Sequence, residues 1–334
     1  MTGGFFYGCD GQALSQSMGA CQRVPLFSSL KGQKMEAVVL GNVTLDILCY
    51  YVEDVPRHDS VPFGKVVIGP GGCGSNVAMG LSALGVSTAL VAKIASGEVF
   101  SLIEPHWRRA GLDTRYVAVE KNADPAVSVG LVDRCAQPRF IHTPGANAGL
   151  TVDDLDPAAL AQQGARFLHI GGFFGLPGLM DGRVPGILDA VRGLGIKTSL
   201  DVINSPHLET PGLLWSCLPH LDYFFCNLRE GQRLTRLDEP ARIGAEILDR
   251  GAGAAVVKLG EKGCRLESRA FSTTVPTEPR NAVDTTGAGD AFAAGFIAAI
   301  LEGSDSREAC LAGHRASARI VSTFGAVAGW YEPS

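Results

Sequence analysis

No stretch of the sequence stays apolar long enough to cross a bilayer as a helix. The longest run, Ala291–Leu301, falls well short of the roughly 20 residues that a span requires. Basic residues are also short: 29 Lys and Arg against 34 Asp and Glu leave a net charge of −5, which argues against a nucleic-acid or polybasic membrane partner. The nine cysteines contain no C-x-x-C pair, and the seven histidines never fall at H-x-x-x-H spacing, so neither a disulfide framework nor a zinc site is indicated. An odd, scattered set of thiols is what a reduced cytoplasmic protein carries. A secretory signal is missing as well, because no Lys or Arg precedes Arg23 and no apolar core follows Met1. The 46% apolar and 19% charged content excludes large-scale disorder and reads as a soluble globule.

Glycine is in excess: 42 residues, well above the ~7% of an average chain. There is no G-X-Y period, so the surplus belongs in turns and at close backbone approaches. Residues 1–34 show neither helical nor strand period and read as an extension outside the fold, with Met35 as an alternative start. From there, short apolar runs at 37–41, 88–92, 166–170, 196–202, 222–226 and 254–259 alternate with helical patterns at 75–84, 183–194, 239–250, 289–302 and 306–323. That alternation predicts one α/β domain over 35–334, with a mostly parallel sheet covered on both faces. Lys65–Ile68 and the pair 126–133 and 139–143 are strand-like without intervening helices, which predicts a small β appendage.

Two glycine-rich motifs stand out. Gly69-Pro70-Gly71-Gly72-Cys73-Gly74 matches G-x-G-x-x-G between a strand and a helix, so a dinucleotide fingerprint and an NAD(P)-linked oxidoreductase compete with a bare strand-to-helix turn. Asp284-Thr285-Thr286-Gly287-Ala288-Gly289-Asp290 opens an apolar helix, where the N–H groups of Gly287, Ala288 and Gly289 would form an anion hole. Asp290 in that first turn is either an ordinary helix-start carboxylate or a group that takes a proton from an attacking hydroxyl. Asn227 and Glu230, three apart at a helix start, can position water around Mg²⁺. Val256–Cys264 reads as strand, tight turn and strand, with Gly260 and Gly263 in the turn. Nothing matches G-x-x-x-x-G-K-[ST], so a phosphoryl-transfer enzyme built on this chain would hold its nucleotide with glycine-rich backbone and the helix at 288.

Taken in order, Gly71-Gly72 with Asn76, Asn227 with Glu230, Gly260 with Gly263, and Asp284–Asp290 resemble the ribokinase/PfkB family of carbohydrate kinases over residues 36–330. The resemblance implies a three-layer α/β/α sandwich with a β-sheet lid drawn from about 50–70 and 122–145. It also implies an ATP-dependent, Mg²⁺-requiring transfer to a primary hydroxyl of a small sugar, or of a nucleoside. By resemblance Asp290 is the base, and Gly287, Ala288, Gly289 and the Asp290 amide form the anion hole. Asn42, Asp46, Gly71, Gly72, Asn76 and Asn147 face the substrate. Asn227, Glu230, Lys258, Gly260, Gly263, Thr286 and His314 border the nucleotide, with Asn227 and Glu230 organising Mg²⁺. Asp284, Thr286, Ile320, Thr323 and Gly325 match the K⁺ site of many relatives, and in some members the lid forms a homodimer clasp. The chain departs from ribokinases at Cys73, where Lys is usual, and at Gly171-Gly172-Phe173-Phe174, where a substrate-facing carboxylate is usual. The two Phe residues read either as a base platform or as core.

Overall fold

The computed structural model describes residues 34–331; the extension expected over 1–34 lies, but for Lys34, outside the described residues. The chain begins with β1 (Ala37–Gly41), β2 (Thr44–Tyr50), β3 (Lys65–Gly71), α1 (Cys73–Ala83), β4 (Thr88–Ala95), α2 (Glu98–Ala110) and β5 (Val117–Glu120). It continues through β6 (Val127–Val132), β7 (Pro138–Thr143), α3 (Pro157–Gln162), β8 (Phe167–Gly171), α4 (Val184–Gly193), β9 (Lys197–Asp201) and α5 (Gly212–Cys217). Then follow β10 (Tyr223–Asn227), α6 (Leu228–Thr235), α7 (Pro240–Asp249), β11 (Ala254–Lys258), β12 (Cys264–Ser268), β13 (Ser272–Val275), α8 (Ala288–Leu301) and α9 (Ser306–Val321).

Nine strands form one sheet in the order β13-β12-β11-β10-β9-β8-β1-β4-β5. It is parallel from β10–β11 across to β5, and antiparallel only where β12 and β13 join the edge. The apolar runs are explained by cover on both faces. Along β10, Tyr223 and Phe225 enter one core with Phe292 and Phe296 of α8, while Phe224 and Cys226 enter the opposite core with Leu188 of α4. Alternate side chains thus serve two layers, and the strand shows no polar face. Helix α8 is buried from Asp290 to Leu301. Small residues let neighbours close on it: a Cβ on Gly80 of α1 would lie 2.8 Å from the Ala294 Cβ.

The remaining strands form a separate sheet in the order β3-β2-β6-β7. Among the elements not expected from the sequence are β2, where Asp46 interrupts the apolar run, and α2, which carries Pro105 in its interior. Tertiary burial of Ile103 and Trp107 holds α2 in place of local propensity. Among the described residues, no helix is long and apolar enough to cross a membrane.

Candidate active site

In an open parallel sheet the ligand crevice lies beyond the carboxyl ends of the strands. Here β1, β8, β9, β10 and β11 end at one edge and deliver Asn42, Gly171-Gly172, Asp201, Asn227 and Lys258 to it. The N-termini of α1 and α8 meet at the same edge. Asn42 Oδ1 accepts the Gly74 N–H at 3.2 Å, and Asn76 Nδ2 donates to Asp290 Oδ2 at 2.8 Å.

The start of α8 is open to an anion. Gly287 adopts φ 75°, and a Cβ there would lie 2.6 Å from the Ala326 carbonyl oxygen, so the turn requires glycine. Among the described residues, the N–H groups of Gly287, Gly289 and Asp290 meet no acceptor, while Ala288, expected to share the hole, donates to the Thr285 carbonyl at 3.2 Å. The Lys258 ammonium closes on this turn: a Cβ at Gly289 would lie 2.9 Å from its Nζ. Burial pulls Lys258 toward neutrality, but Glu230, Asp201 and Asp290 outweigh it and hold the ammonium charged.

Asp290 is buried, and burial followed by the nearby Asp201 carboxylate raises its pKa against the opposing pull of Asn76, Lys258 and Cys73. A carboxylate tuned upward in this way is a better proton acceptor. Asp201 was not expected from sequence. Burial drives its pKa up, but His169, Lys258 and the Gly172 N–H prevail and keep it ionised. His169 Nδ1 lies 2.8 Å from Ser199 Oγ and Nε2 3.4 Å from Asp201 Oδ2, while the Gly172 N–H donates to Asp201 Oδ1 at 2.6 Å. The available signal was a carboxylate at the C-terminal end of a buried parallel strand.

Of the residues expected to face a substrate, Asn42, Asp46 and Asn76 are buried at this edge, and Asn76 Oδ1 has no hydrogen-bond partner. Asp46 accepts the Thr44 hydroxyl at 2.6 Å, and burial raises its pKa to about 7. Its carboxylate stands where a Cβ on Gly71 would be, 2.0 Å away, and Gly72 at φ 86° would strike the Asn42 carbonyl. Those two glycines make room for a carboxylate and a carbonyl, and Gly69–Gly71 form the end of β3, paired with β2 rather than with a strand of the large sheet. Asn147 has a structural task. Its Oδ1 accepts the Val43 N–H at 2.9 Å and its Nδ2 donates to the Val43 carbonyl at 2.8 Å, so it holds the crossing between the two sheets and keeps one lone pair and one N–H beyond those bonds. Phe173 and Phe174 are buried in the core, which favours the core reading over a base platform.

Toward the nucleotide side, a cleft of about 710 Å³ is lined by Pro276, His314, Arg315, Ser322, Thr323 and Gly329. His314 Nε2 lies 3.1 Å from the Val275 carbonyl and its ring meets the Phe292 edge. Gly260 is open, with no heavy atom within 4 Å of where a Cβ would stand, whereas Gly263 is dictated by the Val275 carbonyl, 2.1 Å from its would-be Cβ. Asn227 and Glu230 form a reciprocal cap: each accepts the other's backbone N–H at 2.8 Å.

A sequence profile described as pfkB family carbohydrate kinase matches residues 35–332. The chain belongs to the pfkB family of carbohydrate kinases. An uncharacterized sugar kinase of Archaeoglobus fulgidus is 28% identical over 263 residues, covering 74% of this chain and 96% of that one. A deoxyribokinase of Salmonella typhi is 24% identical over 276 residues, covering 81% and 87%. The crystal structure of adenosine kinase from Sinorhizobium meliloti superposes with a TM-score of 0.78 at 21% identity, covering 88% of this chain and 96% of that one, and so shares the fold.

Kinases of the pfkB family transfer phosphate to sugars and use ATP with Mg²⁺. The residues present fit Mg²⁺ in part. One Glu230 oxygen accepts the Asn227 N–H, the other accepts no hydrogen bond among the described residues, and burial, against the opposing pull of Lys258 and the Asn227 N–H, raises this acid to about 7, which an added cation would relieve. Asn227 Oδ1 accepts the Glu230 N–H with one of its two lone pairs, so this side chain can still offer a phosphate its Nδ2 and a metal-bound water its oxygen. The set expected to hold K⁺ fits only in part. Oδ2 of Asp284 already receives the Tyr50 hydroxyl and the Gly325 N–H, and the Ile320 carbonyl accepts both the N–H and the hydroxyl of Thr323. Among the described residues, the Thr286, Thr323 and Gly325 carbonyls accept no hydrogen bond, and Oδ1 of Asp284 accepts only the Thr286 N–H.

Proposed function

We propose that this kinase transfers the γ-phosphoryl group of ATP to a primary hydroxyl of a small sugar held between Asp46, Asn42 and Asn76. The observation that carries this reading is the Asn76–Asp290 pair: Asp290 has a raised pKa, and the far end of Asn76, tied to it at 2.8 Å, is a buried acceptor without a donor. A substrate hydroxyl supplies that donor. Asp290 takes the proton of the attacking hydroxyl as its oxygen bonds to the γ-phosphorus and the bond to the β-phosphate oxygen breaks, releasing ADP. The N–H groups of Gly287, Gly289 and Asp290, with Lys258, stabilise the charge on the transferring group. Glu230 would hold Mg²⁺ through water, and the ion would supply neutralisation of the phosphates. His314 and Arg315 line the cleft for the base and ribose, whose volume suits a nucleotide.

A sugar is favoured over a nucleoside because the aromatic pair that would have carried a base is in the core. ADP release from MgATP across ribose, deoxyribose, fructose, 2-keto-3-deoxygluconate, adenosine and cytidine tests the reading. Turnover with a sugar is expected; turnover with nucleosides alone overturns the sugar assignment.

We also infer that a second copy covers the outer face of the small sheet. Register aligns Ile68, Ile47, Val129 and Ile141 in one row across all four strands, and Ile141 is 72% exposed. Light scattering should give a dimer that Ile141→Lys converts to monomer; a monomeric native protein removes the inference.

A further inference from the structure

Asp284 sits in the middle of converging donors. The Tyr50 hydroxyl donates to its Oδ2 at 2.6 Å, the Gly325 N–H to the same oxygen at 2.9 Å, and the Thr286 N–H to Oδ1 at 2.9 Å. Both side chains are fully buried. A buried carboxylate has to be compensated. A bound cation is one solution and three donors are another. At Oδ2 the two compete, because the Tyr50 and Gly325 hydrogens take both of its lone pairs and a cation would have to displace one. We propose that the Tyr50 hydroxyl takes the place of a monovalent cation at Asp284, fastening the small sheet to the anion-binding turn and making the geometry of that turn independent of K⁺.

The position of Tyr50 supports this role. Asp284 leads directly into the turn at Thr285–Gly289, and Gly325 precedes Ala326, on which Gly287 rests. Tyr50, from β2, therefore touches both segments that shape the anion hole. Its ring meets the Phe324 ring edge-on at 4.8 Å, and the Lys65 ammonium lies 3.4 Å from the same ring's centroid. Across the sheet, Thr285 Oγ1 donates to the Ala136 carbonyl in the β6–β7 turn at 2.8 Å. Burial first, and Asp284 second, keep the phenol far above its ordinary range, so it remains a donor at any working pH. The inference rests on the kinase reading only in treating the turn as an anion site.

The test is calorimetric titration of KCl into the apo protein in tetramethylammonium buffer, beside ADP release with and without K⁺. The native protein should give no saturable heat and rates that agree within about twofold. Tyr50→Phe frees one of the two lone pairs of Oδ2 while the Gly325 N–H keeps the other; turnover should fall roughly tenfold without K⁺, as for a lost hydrogen bond to a charge, and K⁺ should now bind and restore part of it. Saturable K⁺ binding by the native protein overturns the proposal. So does a folded Tyr50→Phe variant that gains no K⁺ binding, whatever its turnover. The calorimetric arm needs no acceptor sugar, so its failure is distinct from failure of the substrate assignment.

Discussion

Asp284 and Asp290 flank the same turn, are both buried, and are treated in opposite ways by the fold. Asp284 is well served: a phenol and two backbone N–H groups converge on it. Asp290 is left underserved, with the Asn76 amide and the Cys73 thiol on one side and a like charge, Asp201, on the other. The difference separates a carboxylate that holds structure from one that is kept reactive. A group that must accept a proton cannot also be given every donor it could use.

The largest effect should follow from replacing the underserved acid. Asp290→Asn is expected to lose ~10²–10⁴-fold in turnover, the scale of a general base, while still binding nucleotide in a thermal-shift assay. It should also unfold at or above the native midpoint at pH 8. The sign follows from linkage: a carboxyl whose folded pKa is raised costs stability as pH climbs from its unfolded pKa through the folded one, and the amide avoids that cost. Near-native turnover would remove the assigned role.

Asp284→Asn should show the converse. The amide nitrogen cannot accept from Tyr50 or Gly325, so unfolding by urea should reveal a loss of about 1–3 kcal/mol for the buried donors left unpaired. A variant as stable as the native protein would show that the converging donors are not what holds this region. The asparagines divide in the same way. Asn147, whose amide is used at both ends by Val43, should on replacement by Ala cost about 1–3 kcal/mol of stability with KM unchanged. Asn76→Ala should instead raise KM for the sugar. A raised KM in Asn147→Ala would place that residue in the substrate site.

Much of this was legible in the sequence because the relevant signals are local. The apolar runs of β1, β8, β10 and β11 are short and continuous because both faces are covered, and Gly287 with Gly289 mark a helix start whose amides stay open. What escaped depends on partners distant in the chain. Asp46 within β2 looks like a break in a strand until Gly71 of β3 is seen to leave room for its carboxylate. Tyr50 carries no motif at all; its meaning appears only when the small sheet brings it to Asp284, 234 residues on. Asn147 matched a substrate position by resemblance, but a resemblance does not reveal that Val43 engages its amide.

The smallest effect expected is a shift in pH dependence, and it bears on why Asp290 stays underserved. Activity requires the Asp290 carboxylate, so the rate should rise with pH through an apparent pKa above the ordinary carboxylate range. Of the groups facing Asp290, Asp201 raises that pKa most, Asp46 and Glu230 are further like charges, and Lys258, Asn76 and Cys73 lower it. Asp201→Asn removes the like charge while its remaining oxygen can still accept the Gly172 N–H that positions the Gly171–Phe174 loop. The acid limb of kcat/KM should therefore move to lower pH, with the plateau rate reduced because a weaker base takes the proton less readily. A merely structural role for Asp201 would lower the whole profile without displacing its limb. An unmoved limb would mean that burial alone sets the basicity of Asp290, and that Asp201 and its His169 partner serve only to hold the loop.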